Sequence, residues 1–160
     1  MTAGSPRRGA RLGVDVGAVR VGVAISDPDG ILATPLVTLA RDTSGSGSGA
    51  AGGATPSDMA SIAEIVREYD VVEVVVGLPV TLAGTEGPAA VQARAYADRL
   101  REVVAPTPVL LADERMSTAL ATRRLSERGL RGRRRRAVVD QAAAVEILQS
   151  WLDAQRRRSG

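Results

Sequence analysis

Acidic side chains are the residues of this sequence best suited to carry out catalysis. They stand at three places in the chain, and the candidates are Asp15, Asp113, Glu114 and Asp140. The sequence has no Cys and no His, which excludes the usual zinc sites, disulfides and Ser-His or Cys-His catalysis. A metal must therefore be bound by oxygen, which favours Mg²⁺ or Mn²⁺. Together, the three acidic positions in a basic chain favour a two-metal phosphodiester site.

Asp15 lies in the run RLGVDVGAVRVGVAIS, residues 11–26, which predicts two strands joined by a tight turn. Alternation places Asp15 on the face opposite the apolar residues of its strand, with only Gly13 and Gly17 beside it. Such a carboxylate suits a metal ligand or an acid/base group opposite a bound phosphate, because the glycines leave room for close approach. It equally suits a polar edge residue near a turn, with the glycines admitting a packed helix. This stretch alone leaves both interpretations open.

The other acids lie at the ends of predicted elements. Asp113 and Glu114 end the predicted fifth strand, where open α/β sheets present their sites. As neighbours on a strand they point to opposite faces, so one of them is expected to share a site with Asp15, and either could instead pair with Arg115. Asp140 is predicted in the first turn of the last helix, where an acid also interacts favourably with the helix dipole.

The basic residues are all arginines, and the net charge is +3. Five arginines within residues 131–136 are denser than solubility requires and favour contact with a polyanion over a solvated loop. For the cluster at 156–158, nucleic-acid contact and a solvated tail remain equally open. Aromatic residues make up only 2 %, which argues against a protein that binds single strands mainly by base stacking. The members of the first cluster are Arg131, Arg133, Arg134, Arg135 and Arg136.

The order of predicted elements is βββ-α-β-α-β-α-α, which indicates one α/β domain with a mixed sheet of five strands. The first three strands, the last at 31–39, form an antiparallel meander, and 71–76 has the apolar pattern of a buried parallel strand. Ser57 is the predicted N-cap of the first helix. The remaining predictions are helices at 57–69, 88–104, 117–128 and 137–155, a strand at 109–112 and a basic loop before residue 137.

The domain is expected to span 11–155, with a disordered leader at 1–10, a flexible Gly/Ser insert at 43–56 and a basic tail at 156–160. No apolar run approaches the ~18 residues of a membrane span, and the N-terminus lacks the apolar core of a signal peptide. We therefore expect a cytoplasmic protein without membrane contact.

Across about 11–153, excluding the insert, the chain resembles the YqgF (RuvX) family, whose members have the RNase H-like fold also found in RuvC-type Holliday junction resolvases. The D-x-G motif alone is weak, but the set in this order is specific. The motifs are DVGAVRVGVA at 15–24, SDP at 26–28, ATPL at 33–36, VVGLP at 75–79, GTEGP at 84–88, DERMST at 113–118 and DQAAAVEILQSWL at 140–152.

The resemblance implies a Mg²⁺-dependent nuclease that matures the 5′ end of pre-16S ribosomal RNA, with a Holliday junction resolvase as the alternative. By position, Asp15 matches the family's first-strand acid, Glu114 (or Asp113) its fifth-strand acid, and Asp140 its last-helix acid. RuvC-type enzymes place an acid after the fourth strand, where this chain has Gly77-Leu78-Pro79. The Gly/Ser insert departs from the family's compact segment.

The mechanism expected from this resemblance is metal-assisted hydrolysis, with Asp15 bridging two Mg²⁺ about 4 Å apart and Glu114 and Asp140 each completing one site. Arg20, Arg115 and the 131–136 arginines would contact flanking phosphates. The partner is pre-rRNA or branched DNA, and the protein is expected to be a monomer or homodimer. A further alternative is a nucleic-acid-binding ribosome-assembly factor without catalysis. Sugar kinases and actin-like ATPases share the D-x-G motif but require a second domain, for which 160 residues leave no room.

Overall fold

The computed structural model describes residues 8–42, 55–80, 84–113 and 133–159, the stretch 133–140 by its helical backbone only. Five strands form one mixed sheet in the order β3-β2-β1-β4-β5. Strands β1, β4 and β5 run parallel, and β2 runs antiparallel to β1 and β3, so the predicted α/β architecture and meander are confirmed. The elements are β1 Arg11–Val16, β2 Arg20–Ser26, β3 Ala33–Ala40, α1 Ser57–Glu68, β4 Glu73–Leu78, α2 Pro88–Val104, β5 Val109–Asp113 and α3 Arg133–Ser159.

Helices cover both faces of the sheet. Helices α1 and α2 cover one face, where Leu12 and Val14 of β1 pack with Ile62 and Leu100. Helix α3 covers the other face and packs across β1, β2 and β3. Because successive strand residues alternate between the two faces, the packing partners of the apolar residues show which face each polar residue occupies. None of the helices in the described ranges is both long and apolar enough to cross a membrane.

Strand β3 begins at Ala33, two residues later than predicted. The carboxylate of Asp27 accepts backbone N–H groups of Asp29, Ile31 and Leu32, at 2.7 to 3.1 Å. These bonds hold 27–32 as a turn, because they satisfy backbone donors that a strand would otherwise pair. The Leu32 bond is the strongest of the influences that lower the pKa of Asp27.

Helix α1 lacks the predicted Ser57 cap. Pro56 occupies the N-cap position without a side-chain hydrogen bond, and Ser57 is the first helical residue. The N–H of Ser57 donates instead to Oδ2 of Asp42 at 2.7 Å. The carboxylate of Asp42 thus provides the hydrogen-bond acceptor at the start of α1, in place of the Ser57 hydroxyl that the sequence predicted.

Strand β4 begins and ends two residues later than predicted. Val71 donates its N–H to the carbonyl of Val66, so it still belongs to the end of α1. At the other end Gly77 and Leu78, predicted to terminate the strand, remain in register with Ala112 and Asp113 of β5. The sheet therefore extends further toward the end that carries the acidic residues.

Helix α3 is longer at both ends than the predicted 137–155. Residues 133–136, expected in a loop, are its first turn, and 156–159 continue it. Arg156 anchors the last turns by donating to the carbonyls of Gly30 and Ile31 at 2.9 and 3.0 Å. Asp140 therefore lies about two turns inside the helix, not in its first turn, which places it beyond the reach of the terminal dipole.

Some predictions fall on residues that the structure leaves undescribed: the helix at 117–128 and most of the 43–56 insert. Of the predicted leader, Gly9 and Ala10 join the fold, since Gly9 donates to the carbonyl of Pro28 and Ala10 accepts from Val72, both at 2.9 Å.

Candidate active site

Asp15 lies one residue before the end of β1, the central strand, and is 3 % exposed. Its partner on β2 is Gly22. On β4, Val76 is the partner of Val14, so the next position after Val14 lies beside Gly77. Asp15 is therefore flanked by glycines on both neighbouring strands. The predicted open space beside this carboxylate comes from cross-strand glycines.

Gly13 has a packing role. A side-chain Cβ at this position would lie 2.6 Å from Cβ of Leu148 and 2.9 Å from the carbonyl oxygen of Ala144, both on α3. Gly17 lies in the β1–β2 turn, where a Cβ would meet the carbonyl oxygen of Arg20 at 2.8 Å. The structure thus supports the packed-helix explanation for Gly13, while Asp15 occupies the same α3-facing side of the sheet.

The direction of α3 brings position 140 toward Asp15. Gly13 is opposite Ala144, and the far end of α3 reaches Gly30, near the start of β1. One helical turn before Ala144 is Asp140, a step of about 5.4 Å, and two residues after Gly13 is Asp15, a step of about 6.6 Å. From its contact with Gly13, α3 therefore runs back toward residue 140 in the same direction as β1 runs on toward Asp15.

Asp113 lies on the opposite face from Asp15. Its β4 partner is Leu78, which packs with Ala90 and Ala93 of α2. Its neighbour Ala112 packs instead with the α3 core, as Val75 does. The sequence left open which of Asp113 and Glu114 faces the site; within β5, strand alternation places Asp113 on the face opposite Asp15, although at this sheet edge it also lines the hollow beside α3.

Arg20 opens β2 on the face of Asp15, since it alternates with Val21 and stands two residues from Gly22, the partner of Asp15. Residues in such a diagonal pair on neighbouring strands have backbones roughly 7–8 Å apart. Arg20 is thus the one predicted phosphate ligand whose side chain is described. The other candidates, Glu114, Arg115 and Arg131, lie outside the described residues, and of Arg133–Arg136 only the helical backbone is described.

The turn that follows Asp15 is held by Arg41, which the sequence analysis did not single out. Arg41 donates its backbone N–H to the carbonyl of Val19 and its Nη1 to the carbonyl of Gly17, both at 2.8 Å. Its guanidinium carbon lies 5.2 Å from the ring centre of Tyr96. Because Arg41 follows β3 directly, β-sheet pairing brings it beside the β1–β2 turn, and no local pattern in the sequence signals this contact.

A metal site at Asp15 must draw its ligands from several elements. Among the described residues, no three acidic side chains come close enough together to hold a metal ion. Asp15 itself fits such a role: it is a carboxylate, and Gly22 beside it on β2 leaves its surroundings uncrowded. Its oxygen donors suit Mg²⁺ or Mn²⁺.

The fold and this site define an α/β protein of the RNase H-like class. In a comparison with solved structures, T. thermophilus RuvC in complex with Holliday junction substrate superposes with a TM-score of 0.52 at 16 % identity, covering 94 % of this chain and 96 % of that one. A family model described as "RuvX: Holliday junction resolvase" matches residues 9–154. The chain belongs to the RuvX family.

Relatives of known sequence agree with this assignment. A protein of Nocardia farcinica is 55 % identical over 148 residues, 92 % of this chain and 79 % of its own. One of Rhodococcus opacus is 53 % identical over 152 residues, 95 % of this chain and 82 % of its own. Both carry the name "Putative pre-16S rRNA nuclease".

Proposed function

We propose that this protein is a divalent-metal-dependent nuclease that hydrolyses phosphodiester bonds in precursor 16S ribosomal RNA. Membership of the RuvX family and the names of its relatives support the reaction and the substrate. The single structural observation that carries the proposal is the place of Asp15: a buried carboxylate on the central strand, between two glycines, facing the helix that carries Asp140.

Asp15, Glu114 and Asp140 are the proposed metal ligands. Glu114 is proposed in preference to Asp113 because Asp113 lies on the side of β5 that faces α2. On β4, Gly77 pairs with Ala112 of β5 and adds no side chain beside Asp15. Position 140 shares a helix face with Ala144 and Leu148, which contact β1 at Gly13.

Mg²⁺ bound there supplies a water of lowered pKa and neutralises charge on the leaving oxygen. The chain's own residues position the substrate. Arg20, on the Asp15 face, would bind a phosphate next to the scissile bond, and the arginines at the start of α3 would bind the strand further along. Arg115 and Arg131 are proposed for the same role. Such contacts orient the strand without reading its sequence.

The test is cleavage, with Mg²⁺, of a labelled 5′-extended 16S precursor fragment and of a synthetic four-way DNA junction. Asp15→Asn should abolish cleavage and preserve binding, because it removes a charge without changing size. Asp70→Asn is the matched control: Asp70 is exposed, and asparagine tolerates its positive φ of 51°. Full activity of Asp15→Asn would refute the proposal.

The alternative substrate is a four-way DNA junction, which the description of the family model favours. Paired symmetric nicks in the junction, with the RNA uncut, would move this protein to the resolvases. Binding of both substrates without cleavage of either would instead identify a non-catalytic assembly factor.

A further inference from the structure

A groove runs between β5, an edge strand of the described sheet, and the C-terminal half of α3. It consists of two adjoining hollows of about 280 and 570 Å³, and we call it the β5–α3 groove. It extends from Asp113, at the acidic end of β5, to Pro108 and Glu73, where β5 and β4 begin. Both hollows share Leu111, Trp151, Gln155 and Arg158.

The middle of the groove is formed by Trp151, the only tryptophan of the chain. Its ring packs partly on the α3 core and remains half-buried, so one part of it is available to the groove. The adjoining wall is apolar, with Ile147 and Ala154 of α3 and Ala112 of β5. An aromatic ring in an apolar groove offers a stacking surface to an unpaired base.

The α3 wall of the groove is positively charged. Arg157 lines the hollow that contains Asp113 and Arg158 lines both hollows; both arginines are exposed, and neither forms an ion pair with a described residue. Arg156 differs, since it is engaged with Asp153 and the β2–β3 turn. The carboxylate of Glu73 is bound by Nε of Arg11 at 3.0 Å. Arg157 and Arg158 therefore give the α3 wall of the groove positive charge that can bind a polyanion.

We propose that the β5–α3 groove binds a single-stranded RNA segment that leaves the active site, with a base on Trp151 and phosphates on Arg157 and Arg158. This rests on the proposed function and names the form of its substrate. From Ile147 to Arg158 the helix rises roughly 16 Å, a span for a few nucleotides. A duplex does not fit, because its bases stay stacked inside and offer none to the ring.

The scarcity of aromatic residues defines this mode of binding. One ring supplies one stacking contact, so arginine–phosphate contacts must provide the rest of the affinity. Binding should therefore weaken steeply with salt. It should also require that the strand be long enough to span from the acidic end of β5 to Arg158.

The sole tryptophan gives a direct measurement. In the Asp15→Asn protein, which holds RNA uncut, a single-stranded RNA oligonucleotide should change the Trp151 fluorescence, and a blunt RNA duplex of equal length should not. Trp151→Ala should weaken single-strand binding, followed by anisotropy of labelled RNA, roughly ten-fold or more, and Trp151→Phe should largely restore it.

A second variant tests the groove while leaving Trp151 unchanged, in case Trp151→Ala misfolds. The double substitution Arg157→Gln/Arg158→Gln should reduce the slope of log K against log salt by about 1.4. Its matched control is Arg67→Gln/Arg99→Gln, which removes the same charge from an exposed position on α1 and a partly exposed position on α2. An equal change in slope for both double variants would overturn the groove assignment.

Two further outcomes decide between this proposal and its alternatives. An acidic peptide that changes the fluorescence as the RNA does would make the partner a protein and refute the RNA assignment. Cleavage of a short precursor fragment that keeps the scissile bond but ends too soon after it to reach Arg158 should not depend on Arg157 and Arg158. If the double variant cleaves that fragment normally, and RNA does not change the Trp151 fluorescence, the groove proposal fails and the nuclease proposal stands.

Discussion

The hydroxyl of Tyr96 donates a 2.6 Å hydrogen bond to Oδ2 of Asp58, and both residues are almost completely buried, at 3 % and 2 % exposure. This bond joins α2 to α1. Oδ1 of the same carboxylate accepts the N–H of Asp42 at 3.3 Å, and Arg41 lies over the Tyr96 ring. The pair therefore ties two helices to the segment that holds the turn after Asp15.

Tyr96→Phe should lower the free energy of unfolding by about 2 kcal/mol, because it leaves a buried carboxylate oxygen without its donor. Urea unfolding measures this loss. Tyr69→Phe is the control, since Tyr69 is 44 % exposed and the substitution removes only a surface hydroxyl. Equal stability of the two variants would show that Asp58 does not depend on Tyr96.

The same hydroxyl should make the protein sensitive to alkali. Burial, followed by the Asp58 hydrogen bond, raises the pKa of Tyr96 above the usual 10.0. In the unfolded chain this tyrosine loses its proton above about pH 10, whereas in the folded protein it keeps it, so the folded state binds more protons. The contribution of Tyr96 to the free energy of unfolding is complete below pH 10 and is lost as the pH rises further.

The free energy of unfolding should therefore fall above pH 10 by up to about 1.4 kcal/mol per pH unit from this residue alone. Urea unfolding from about pH 9 to about pH 11 measures the slope. In Tyr96→Phe this component should be missing. An identical slope in that variant would assign the alkaline loss to other groups.

The sequence was sufficient to predict the sheet but not the side-chain contacts that set the ends of its strands and helices. Alternation in β1 and the apolar run of β4 depend on local residue types, so both strands were predicted, β4 with bounds two residues too early. The start of β3 was wrong because a side chain, Asp27, takes the backbone donors of the turn. The start of α3 was wrong because a dense arginine run has the same composition in a loop as in a helix.

In the site, the sequence could narrow the fifth-strand acid to two neighbours but could not choose between them. The β4–β5 register adds that Asp113 shares the face of Leu78, which no local pattern in the sequence reveals. The contact between Arg41 and Gly17 joins residues 24 positions apart through the meander, and so does not show in any motif. Interactions made through tertiary packing are the part that sequence pattern leaves out.

Gly13→Ala should impair both stability and cleavage. The added Cβ would overlap Leu148 and the Ala144 carbonyl, so α3 must shift away from β1, at a cost of about 1–3 kcal/mol. Because α3 carries Asp140, we expect the cleavage rate to fall more than the folded fraction does. Gly87→Ala is the control, since a Cβ there meets nothing within 4 Å. If the variant is destabilised yet cleaves normally when folded, the position of α3 does not affect the active site.

Mg²⁺ should stabilise the protein through Asp15. A metal that binds only the folded state adds about 2.7 kcal/mol when present at roughly one hundred times its dissociation constant, which raises the melting temperature. Thermal unfolding with and without Mg²⁺ should show this rise in the native protein and in Asp70→Asn, but not in Asp15→Asn. A full Mg²⁺-dependent rise in Asp15→Asn would place the metal elsewhere.

Arg41→Lys should slow cleavage more than it destabilises the fold. Lysine keeps the charge and the backbone bond to Val19, but its single ammonium group cannot both stack on the Tyr96 ring and reach the Gly17 carbonyl as the planar guanidinium does. The turn after Asp15 then loosens, and misplacement near a reacting centre by about 1 Å can reduce the rate up to about 100-fold.

Single-turnover cleavage and urea unfolding, measured on the same Arg41→Lys preparation, separate the two effects. Arg67→Lys on the exposed side of α1 is the matched control and should change neither. A rate loss confined to Arg41→Lys, with stability close to native, would make Arg41 a positioning residue for the Asp15 turn. Parallel losses of rate and stability would reduce its role to holding the fold together, because a purely structural contact affects activity only through the folded fraction.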